Sequence, residues 1–307
     1  MTDSDDLILR HARPADEPEL FALWAAAFTP PLAPGQWLLD ADRHAHTQVA
    51  VLEDRVVGSV YGMPKTLHED DRIAPVHAIG SVAVAPAARG RGVAARMVER
   101  SLDDARAAGR EWALLFTDTP GVYRSRGFEQ LTMRRVRSGA WSASVEGSGA
   151  DAVGDVVASP TDEANLRGVG SVYRASRLGR VSLAPSRHDQ DVRAAAYRLA
   201  GTVMHRTAAA YVIEHVESGT GVIDEVACTP GAVAGLGAVL AAVARSWTSA
   251  GVGSCRIAVP ALAELDDAVA RFAPATIDEL DTTAMVRALS REPRLTHPRH
   301  FGAADYF

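Results

Sequence analysis

The sequence predicts an α/β (α+β) protein made of two successive domains of similar design. A chain of 307 residues is long enough for two domains of ordinary size, each with its own core. Strand-like and helix-like segments alternate over residues 7–137, and the same alternation recurs with weaker signals further along the chain. We therefore expect a domain at residues 1–138, a linker at 139–160, a second domain at 161–290 and a tail at 291–307.

Apolar spacing and turn residues define the elements of the first domain. We predict strands at 7–12, 47–52, 56–67, 78–84, 112–117 and 129–136, and helices at 16–28 and 93–108. Pro30-Pro31 ends the first helix, residues 53–55 form a hairpin turn, and Gly109 closes the second helix. Residues 31–46 are a loop or a short helical segment.

The second half of the chain gives weaker signals of the same kind. Helices are predicted at 161–177, 187–199, 230–247 and 265–272, and strands at 209–216, 222–228, 255–259 and 282–289. A Ser-Gly-Thr-Gly run at 218–221 predicts a turn between two of these strands. Small and polar residues at 139–149 are typical of a connection between domains.

Composition narrows the class of protein. Hydrophobic residues make up 47% of the chain and charged residues 23%, which is the composition of a globular protein. The net charge of −6 argues against a nucleic-acid partner and fits a cationic acceptor. The N-terminus is unlike a signal peptide, and the longest uncharged apolar run is too short to span a bilayer, so we expect a cytoplasmic protein without a membrane partner. Cys228 and Cys255 are predicted to be buried thiols of a reducing compartment.

The most informative stretch is a strand, a glycine-rich loop and a helix in succession, from Ser81 to Ala94. The first N–H groups of a helix have no helical partner, and the helix dipole favours an anion there. Glycines let the backbone approach a ligand closely, and arginines pair well with phosphate oxygens. The stretch has neither the Gly-Lys-Ser/Thr ending of a P-loop nor the glycine spacing of a Rossmann turn. It therefore predicts a phosphate site of another type.

This stretch resembles the acetyl-CoA loop of the GNAT N-acetyltransferases, whose pattern is Gln/Arg-x-x-Gly-x-Gly/Ala. Arg89-Gly90-Arg91-Gly92-Val93-Ala94 fits that pattern after a Val-Ala-Val-x-Pro strand end, and a Tyr-x-x-x-Gly-Phe motif follows at 123–128. The resemblance implies two tandem GNAT-type domains, each a mixed, mostly antiparallel sheet flanked by helices. It also implies acetyl-CoA as cosubstrate, and we expect no metal.

The resemblance assigns roles to individual residues. The strand residues align the pantetheine arm, the loop holds the pyrophosphate, and two residues after the next strand border the site. The predicted cosubstrate residues are Val82, Ala83, Val84, Arg89, Gly90, Arg91, Gly92, Val93, Ala94, Asp118 and Thr119. Tyr123 is the implied general acid, because a phenol of pKa ~10 can protonate a thiolate of similar basicity. The alternative is that Tyr123 only packs against the pantetheine or the core.

The local sequence does not identify the general base. His77, Glu53 and His68 are candidates, or they belong to the solvated surface. The two-domain organisation resembles the enhanced-intracellular-survival (Eis-like) aminoglycoside acetyltransferases, without their sterol-carrier-like domain. That resemblance implies that the C-terminal carboxylate of Phe307 enters the active site as the base. In the second domain Val233 and Leu236 stand where Arg89 and Gly92 stand in the first, so we expect a degenerate domain that binds no CoA.

The leading hypothesis is an acetyl-CoA-dependent N-acetyltransferase that acts on a primary amine of an aminoglycoside, a polyamine or a lysine side chain. A mycothiol-synthase-like tandem acetyltransferase and a CoA-binding sensor or self-protection protein with little turnover are the alternatives. Relatives of this shape often assemble, so a homo-oligomer is possible. Acidic side chains line an amine-attracting cleft or form a solvated face: Asp40, Asp42, Glu69, Asp70 and Asp71.

Overall fold

A computed structural model describes residues 7–142 and 155–307. The strands are β1 Ile8–His11, β2 Thr47–Leu52, β3 Arg55–Glu69, β4 Arg72–Val84, β5 Trp112–Phe116, β6 Glu129–Gln130, β7 Met133–Ala140, β8 Val157–Pro160, β9 Val203–Arg206, β10 Ala210–Glu217, β11 Thr220–Cys228, β12 Ser254–Ile257, β13 Ala275–Asp281 and β14 Ala284–Ala288. The helices are α1 Glu17–Ala27, α2 Gly35–Leu38, α3 Val93–Ala107, α4 Gly121–Arg124, α5 Glu163–Gly168, α6 Gly170–Arg177, α7 Asp189–Arg198, α8 Val233–Ser249 and α9 Ala263–Phe272.

Two seven-stranded sheets organise the molecule. The first has the order β1-β2-β3-β4-β5-β14-β6, and the second has the order β8-β9-β10-β11-β12-β7-β13. In each sheet one neighbouring pair is parallel, β4 with β5 and β11 with β12, and the other pairs are antiparallel. The prediction of two mixed, mostly antiparallel sheets flanked by helices is confirmed.

The two sheets exchange one strand each, which the sequence did not indicate. β14 comes from the second half of the chain and pairs with β5 and β6 in the first sheet. β7 comes from the first half and pairs with β12 and β13 in the second sheet. The strand expected at 129–136 is therefore divided between sheets, and the one expected at 282–289 completes the first sheet. Arg134 on β7 forms an ion pair of 2.8 Å with Asp266, which ties it to the second sheet's helix α9.

The hairpin of β3 and β4 is longer than the sequence predicted. Both strands contain a proline, Pro64 and Pro75, and the pairing extends past them to Glu69 and Arg72. The carbonyl of Pro75 accepts a hydrogen bond of 2.9 Å from the Glu111 backbone, so this proline still contributes to the sheet. Strands β8, β9 and β13 were not expected.

Each sheet buries a long helix against one face. Helix α3 packs on the first sheet through Val93, Met97 and Leu102, which recur at helical spacing. Helix α8 packs on the second sheet through Leu236, Leu240 and Trp247. The first sheet also carries α1 on its opposite face, through Leu20 and Trp24. The active-site candidates lie where β4 and β5 end on this first sheet.

Both cysteines are buried, as expected, and neither forms a disulfide. Burial raises the pKa of the Cys255 thiol to about 11, so it stays protonated near neutral pH. Within residues 7–142 and 155–307, no helix combines the length and the apolarity needed to cross a membrane.

Candidate active site

The centre of the site is the point where β4 separates from β5. The parallel pairing joins Val76–Ile79 to Trp112–Leu115, and β4 then continues alone on that side to Val84. A bulge opposite β3 changes the register here, and Ser81 adopts a φ of 49°. Such a conformation is uncommon for a residue other than glycine and needs support from its surroundings. Two diverging strands leave backbone groups of β4 available to a ligand.

A short chain of hydrogen bonds supports this bulge. The indole Nε1 of Trp24 donates to Ser59 Oγ at 2.9 Å, and that hydroxyl donates to the backbone oxygen of Ser81 at 3.0 Å. Trp24 and Ser59 are both buried. The main chain at Ser81 is therefore held in its unusual conformation by α1 and β3.

The loop after β4 has the geometry expected of a phosphate site. Gly90 and Gly92 have φ values of 75° and 69°, and Gly92 is the N-cap of α3. A Cβ on either glycine would have no atom within 4 Å, so the space beside the loop is open. Arg89 donates from Nε to the Val84 backbone oxygen at 3.0 Å, which ties the loop to the end of β4.

The other predicted cosubstrate residues surround the same corner. Val82 and Val84 pack against the core under α3, and Ala83 is buried on the opposite face. Arg91 is exposed in the loop, and Val93 and Ala94 open α3. Asp118 and Thr119 are exposed just after β5, where the Thr119 backbone donates to Thr117 Oγ1 at 3.0 Å.

Tyr123 lies in the short helix α4, after β5, and is buried in the same core cluster as Val93. Its ring meets Phe128 edge to face, with 5.9 Å between centroids. Gly127, between them, has a φ of 73°, which explains why glycine follows the tyrosine in this motif. Burial raises the pKa of the Tyr123 phenol above its ordinary value, which favours the protonated form.

The end of the chain lies at the β4 bulge. A Cβ built on Gly80 would be 3.3 Å from the backbone oxygen of Phe307. The Phe307 ring packs against Phe116 at the end of β5, with centroids 5.6 Å apart. The structure thus brings Phe307 to the strands that carry the predicted cosubstrate residues, while Tyr123 packs in a different apolar cluster.

Three polar contacts anchor the tail. Asp305 accepts from Arg187 at 2.8 Å, and the Tyr306 hydroxyl donates to Asp281 at 3.0 Å. Gln36 Nε2 donates to the Tyr306 backbone oxygen at 3.2 Å. The tail is therefore bound to α2 and to both halves of the chain.

A cavity of about 220 Å³ opens beside Phe307. It lies between α1, α2, the β4 bulge, the end of β5 and the last turn of α7. Its lining comprises Trp24, Phe28, Leu32, Ala33, Gln36, Trp37, Tyr61, Ile79, Gly80, Ser81, Phe116, Arg198 and Phe307. Of these lining residues, the sequence predicted a role in the site only for Phe307. Arg198 in particular is distant in sequence, and no local pattern marks it.

The other base candidates lie away from this cavity. His77 is buried and shares a hydrogen bond of 2.8 Å with Ser101 Oγ, and burial lowers its pKa to about 4. His68 is also buried, with a pKa lowered by burial to about 4. Glu53 sits in the hairpin turn before β3, with a φ of 50°. None of the three is positioned to take a proton from an amine at Gly80.

The five acidic side chains considered for an amine-attracting cleft do not line the cavity either. Asp40 is buried behind the cavity wall. It accepts a hydrogen bond of 2.8 Å from the Tyr61 hydroxyl and pairs with His46. Glu69 is paired with Arg291, and Asp70 accepts from Thr296. Asp42 and Asp71 are exposed. The cleft hypothesis is wrong for this cavity, because these carboxylates are already engaged or face elsewhere.

The second sheet lacks a comparable loop. Leu236 is fully buried in the first turn of α8, where it fills the core. A Cβ built on Gly235 would be 3.4 Å from Thr207 Oγ1. A Cβ built on Gly237 would have no atom within 4 Å, so no close packing requires a glycine there. In the part of the chain that the structure describes, no group of three or more His, Cys, Asp or Glu side chains is arranged to hold a metal.

Comparison with known proteins connects this geometry to a family. Residues 9–131 match the model of an acetyltransferase (GNAT) domain. No curated protein matches the sequence.

Solved structures resemble nearly the whole chain. A GCN5-related N-acetyltransferase from Kribbella flavida is 22% identical with a TM-score of 0.72, over 94% of this chain and 72% of its own. One from Anabaena variabilis is 15% identical with a TM-score of 0.71, over 92% and 73%. Eis1 from Mycobacterium abscessus is 15% identical with a TM-score of 0.66, over 92% and 73%. These structures are all less than 25% identical to this chain, so the similarities show the fold alone, and within that fold residues 9–131 match the GNAT domain model.

Proposed function

We propose that this protein transfers the acetyl group of acetyl-CoA to a primary amine by direct attack in a ternary complex. The observation that carries the proposal is the separation of β4 from β5 at the Ser81 bulge, directly before the glycine-opened start of α3. This arrangement provides an unpaired strand edge for an extended arm and helix amides for a diphosphate. A small-molecule amine or a lysine side chain is the acceptor.

The residues present fit acetyl-CoA. The open space at Gly90 and Gly92 admits a diphosphate, and Arg89 and Arg91 lie beside it. The backbone of Val82–Val84 offers hydrogen bonds to the pantetheine arm, and one of its N–H groups polarises the thioester carbonyl. Asp118 and Thr119 border the other side of the gap.

Tyr123 is the proton donor and Phe307 the proton acceptor of the reaction. The amine nitrogen attacks the thioester carbon, so that a C–N bond forms and the C–S bond breaks. Tyr123 protonates the leaving thiolate, for which its buried and protonated phenol is suited. The main-chain carboxyl of Phe307, placed beside Gly80, accepts the proton that the amine loses.

Titration with acetyl-CoA, followed by measurement of thiol release in the presence of an amine panel, tests this function. We expect stoichiometric binding that Gly92→Ala weakens, and amine-dependent release of one thiol per amide formed. Failure to bind acetyl-CoA, or binding that is indifferent to the loop, would refute the proposal.

A further inference from the structure

The residues that line the cavity beside Gly80 indicate which kind of acceptor it binds. We propose that the acceptor is a small amine with a carboxylate and an apolar body, as in an aromatic α-amino acid, and that Arg198 binds its carboxylate. This inference rests on the proposed function of the same site.

Six of the thirteen residues that line the cavity carry aromatic rings. They belong to Trp24, Phe28, Trp37, Tyr61, Phe116 and Phe307. Aromatic residues make up only 6% of the chain, so their concentration here is a feature of the site. Rings in edge-to-face contact, such as Trp24 and Trp37 with centroids 5.4 Å apart, offer a fixed apolar surface to another ring.

The size and charge of the cavity disfavour a polycation. Its volume of about 220 Å³ is below the roughly 300–1,000 Å³ typical of pockets for drug-sized ligands. No Asp or Glu side chain of the described ranges lines it. An aminoglycoside or a polyamine carries several ammonium groups, and in the described lining only the terminal carboxyl of Phe307 is there to pair with them.

Arg198 is the charged side chain that the lining does contain. Within residues 7–142 and 155–307 it forms no hydrogen bond or close ion pair, and burial lowers its pKa although the Asp305 carboxylate acts in the opposite direction. The nearby carboxylate of Asp305 is already paired with Arg187. A guanidinium presents paired donors that match the two oxygens of a carboxylate, so an arginine at the cavity without a hydrogen-bonded partner is suited to bind a carboxylate.

Contact between the two halves of the chain fixes the position of Arg198. Its neighbour Tyr197 packs its hydroxyl against Gly35 so closely that a Cβ there would collide with the phenol. The last turn of α7 is therefore docked on α2, and Arg198 is held at the cavity. The second half of the chain thus supplies a specificity residue to the first sheet's site.

The reaction with such an acceptor balances without a further reactant. The amino nitrogen forms a C–N bond with the acetyl carbon as the C–S bond breaks. Its proton goes to the Phe307 carboxyl, and the thiolate takes a proton from Tyr123. The products are an N-acetyl amino acid and free CoA, and the acceptor carboxylate stays at Arg198 throughout.

Steady-state thiol release with phenylalanine, its decarboxylated analogue phenethylamine and spermidine tests the inference. We expect kcat/KM for phenylalanine to exceed that for phenethylamine by about tenfold or more, the scale of one charge-assisted hydrogen bond. Arg198→Ala should raise KM for phenylalanine by a similar factor and leave phenethylamine unchanged, and Arg198→Lys should restore part of the difference. Arg193→Ala, on the same helix but outside the cavity lining, is the matched control.

The outcomes separate the two proposals. If spermidine or phenethylamine is the better substrate, or if Arg198→Ala leaves the preference unchanged, the inference about the acceptor is wrong and acetyl transfer stands. If the protein neither binds acetyl-CoA in a titration nor acetylates any of the three amines, the proposed function itself fails.

Discussion

The backbone oxygen of Phe307 lies over Gly80, so that a Cβ added to Gly80 would be 3.3 Å from it. Gly80 is the last β4 residue before the bulge at Ser81. The contact joins the end of the described chain to the strand on which the thioester is proposed to lie.

Removal of Phe307 is expected to lower kcat by on the order of 10²-fold or more, the usual contribution of a positioned base. The acetyl-CoA Kd should change little, because the cavity that holds Phe307 is lined by none of the phosphate-loop residues 89–94. Initial rates across a pH series and a binding titration measure the two effects. Phe307→Ala keeps the terminal carboxyl and removes the ring, and it should retain more activity than the deletion. Unchanged kcat and an unchanged pH profile after deletion would exclude Phe307 as the base.

Gly92→Ala should weaken acetyl-CoA binding, since a methyl group would enter the open space beside the loop. Gly109 provides a matched control. Both glycines have a φ of 69°, and neither Cβ position has an atom within 4 Å. Each substitution should therefore lower the free energy of unfolding by a similar amount, about 1–2 kcal/mol. Calorimetric titration should show a raised Kd for Gly92→Ala alone. Equal Kd values for both variants would place the diphosphate elsewhere.

Arg89→Ala should raise KM for acetyl-CoA by about tenfold, because it removes both a positive charge and the bond to Val84. Arg106→Ala, in the last turn of α3 and paired with Asp103, is the control that should change nothing. The measurement is KM for acetyl-CoA at saturating amine. A fall in kcat without a change in KM would contradict the assignment of Arg89 to the cosubstrate.

Tyr123→Phe should reduce kcat while KM for acetyl-CoA stays nearly the same. Burial raises the pKa of Tyr123, so the wild-type phenol remains protonated throughout the neutral range. Ionisation of Tyr123 should therefore reduce activity only at strongly alkaline pH, and the variant should lack that decrease. Single-turnover rates separate the chemical step from product release. Full single-turnover activity in Tyr123→Phe would show that this hydroxyl only packs.

Stability should decrease as the pH falls from 7 to 4, in part because of His77. Burial lowers the pKa of His77 in the folded state to about 4, whereas the unfolded chain takes up the proton near 6.5. Between these values the unfolded state binds more protons, so the free energy of unfolding falls with falling pH. Urea titrations should show that His77→Gln removes on the order of 3 kcal/mol of this decrease. An identical pH slope in the variant would mean that the pKa of His77 is not lowered in the folded state.

The sequence predicted the parts of the site that depend on local pattern. Gly90, Gly92 and the amphipathic spacing of α3 are adjacent in the chain, so their geometry follows from turn and helix rules. Long-range choices were not predictable in the same way. The sequence of β14 is compatible with pairing to any apolar strand. Only the structure shows that its partner is β5, where Leu114 and Leu115 lie opposite it.

The cavity illustrates the same limit. Trp24 lies on a predicted helix and Trp37 in a segment expected to be a loop or a short helix, and their position in the cavity wall depends on the gap left between these helices and the bulge. Arg198 looked like an ordinary last-turn arginine of α7, where a cation is favoured by the helix dipole. The carboxylates near residues 40 and 70 were expected to line a cleft or to form a solvated face, but Asp40, Glu69 and Asp70 have partners that charge alone does not reveal. Glu69 and Asp70 pair with residues more than two hundred positions away, and a local pattern cannot reveal such partners.

The position of β14 constrains how this protein can be made and shortened. A ribosome has to reach residue 288 before the sheet that holds the proposed thioester site acquires its strand between β5 and β6. A fragment ending near residue 138 would present β5 and β6 with no partner between them and would carry β7 without its own sheet. The strand exchange therefore links the folding of the two halves, because each sheet is complete only when the other half has supplied its strand.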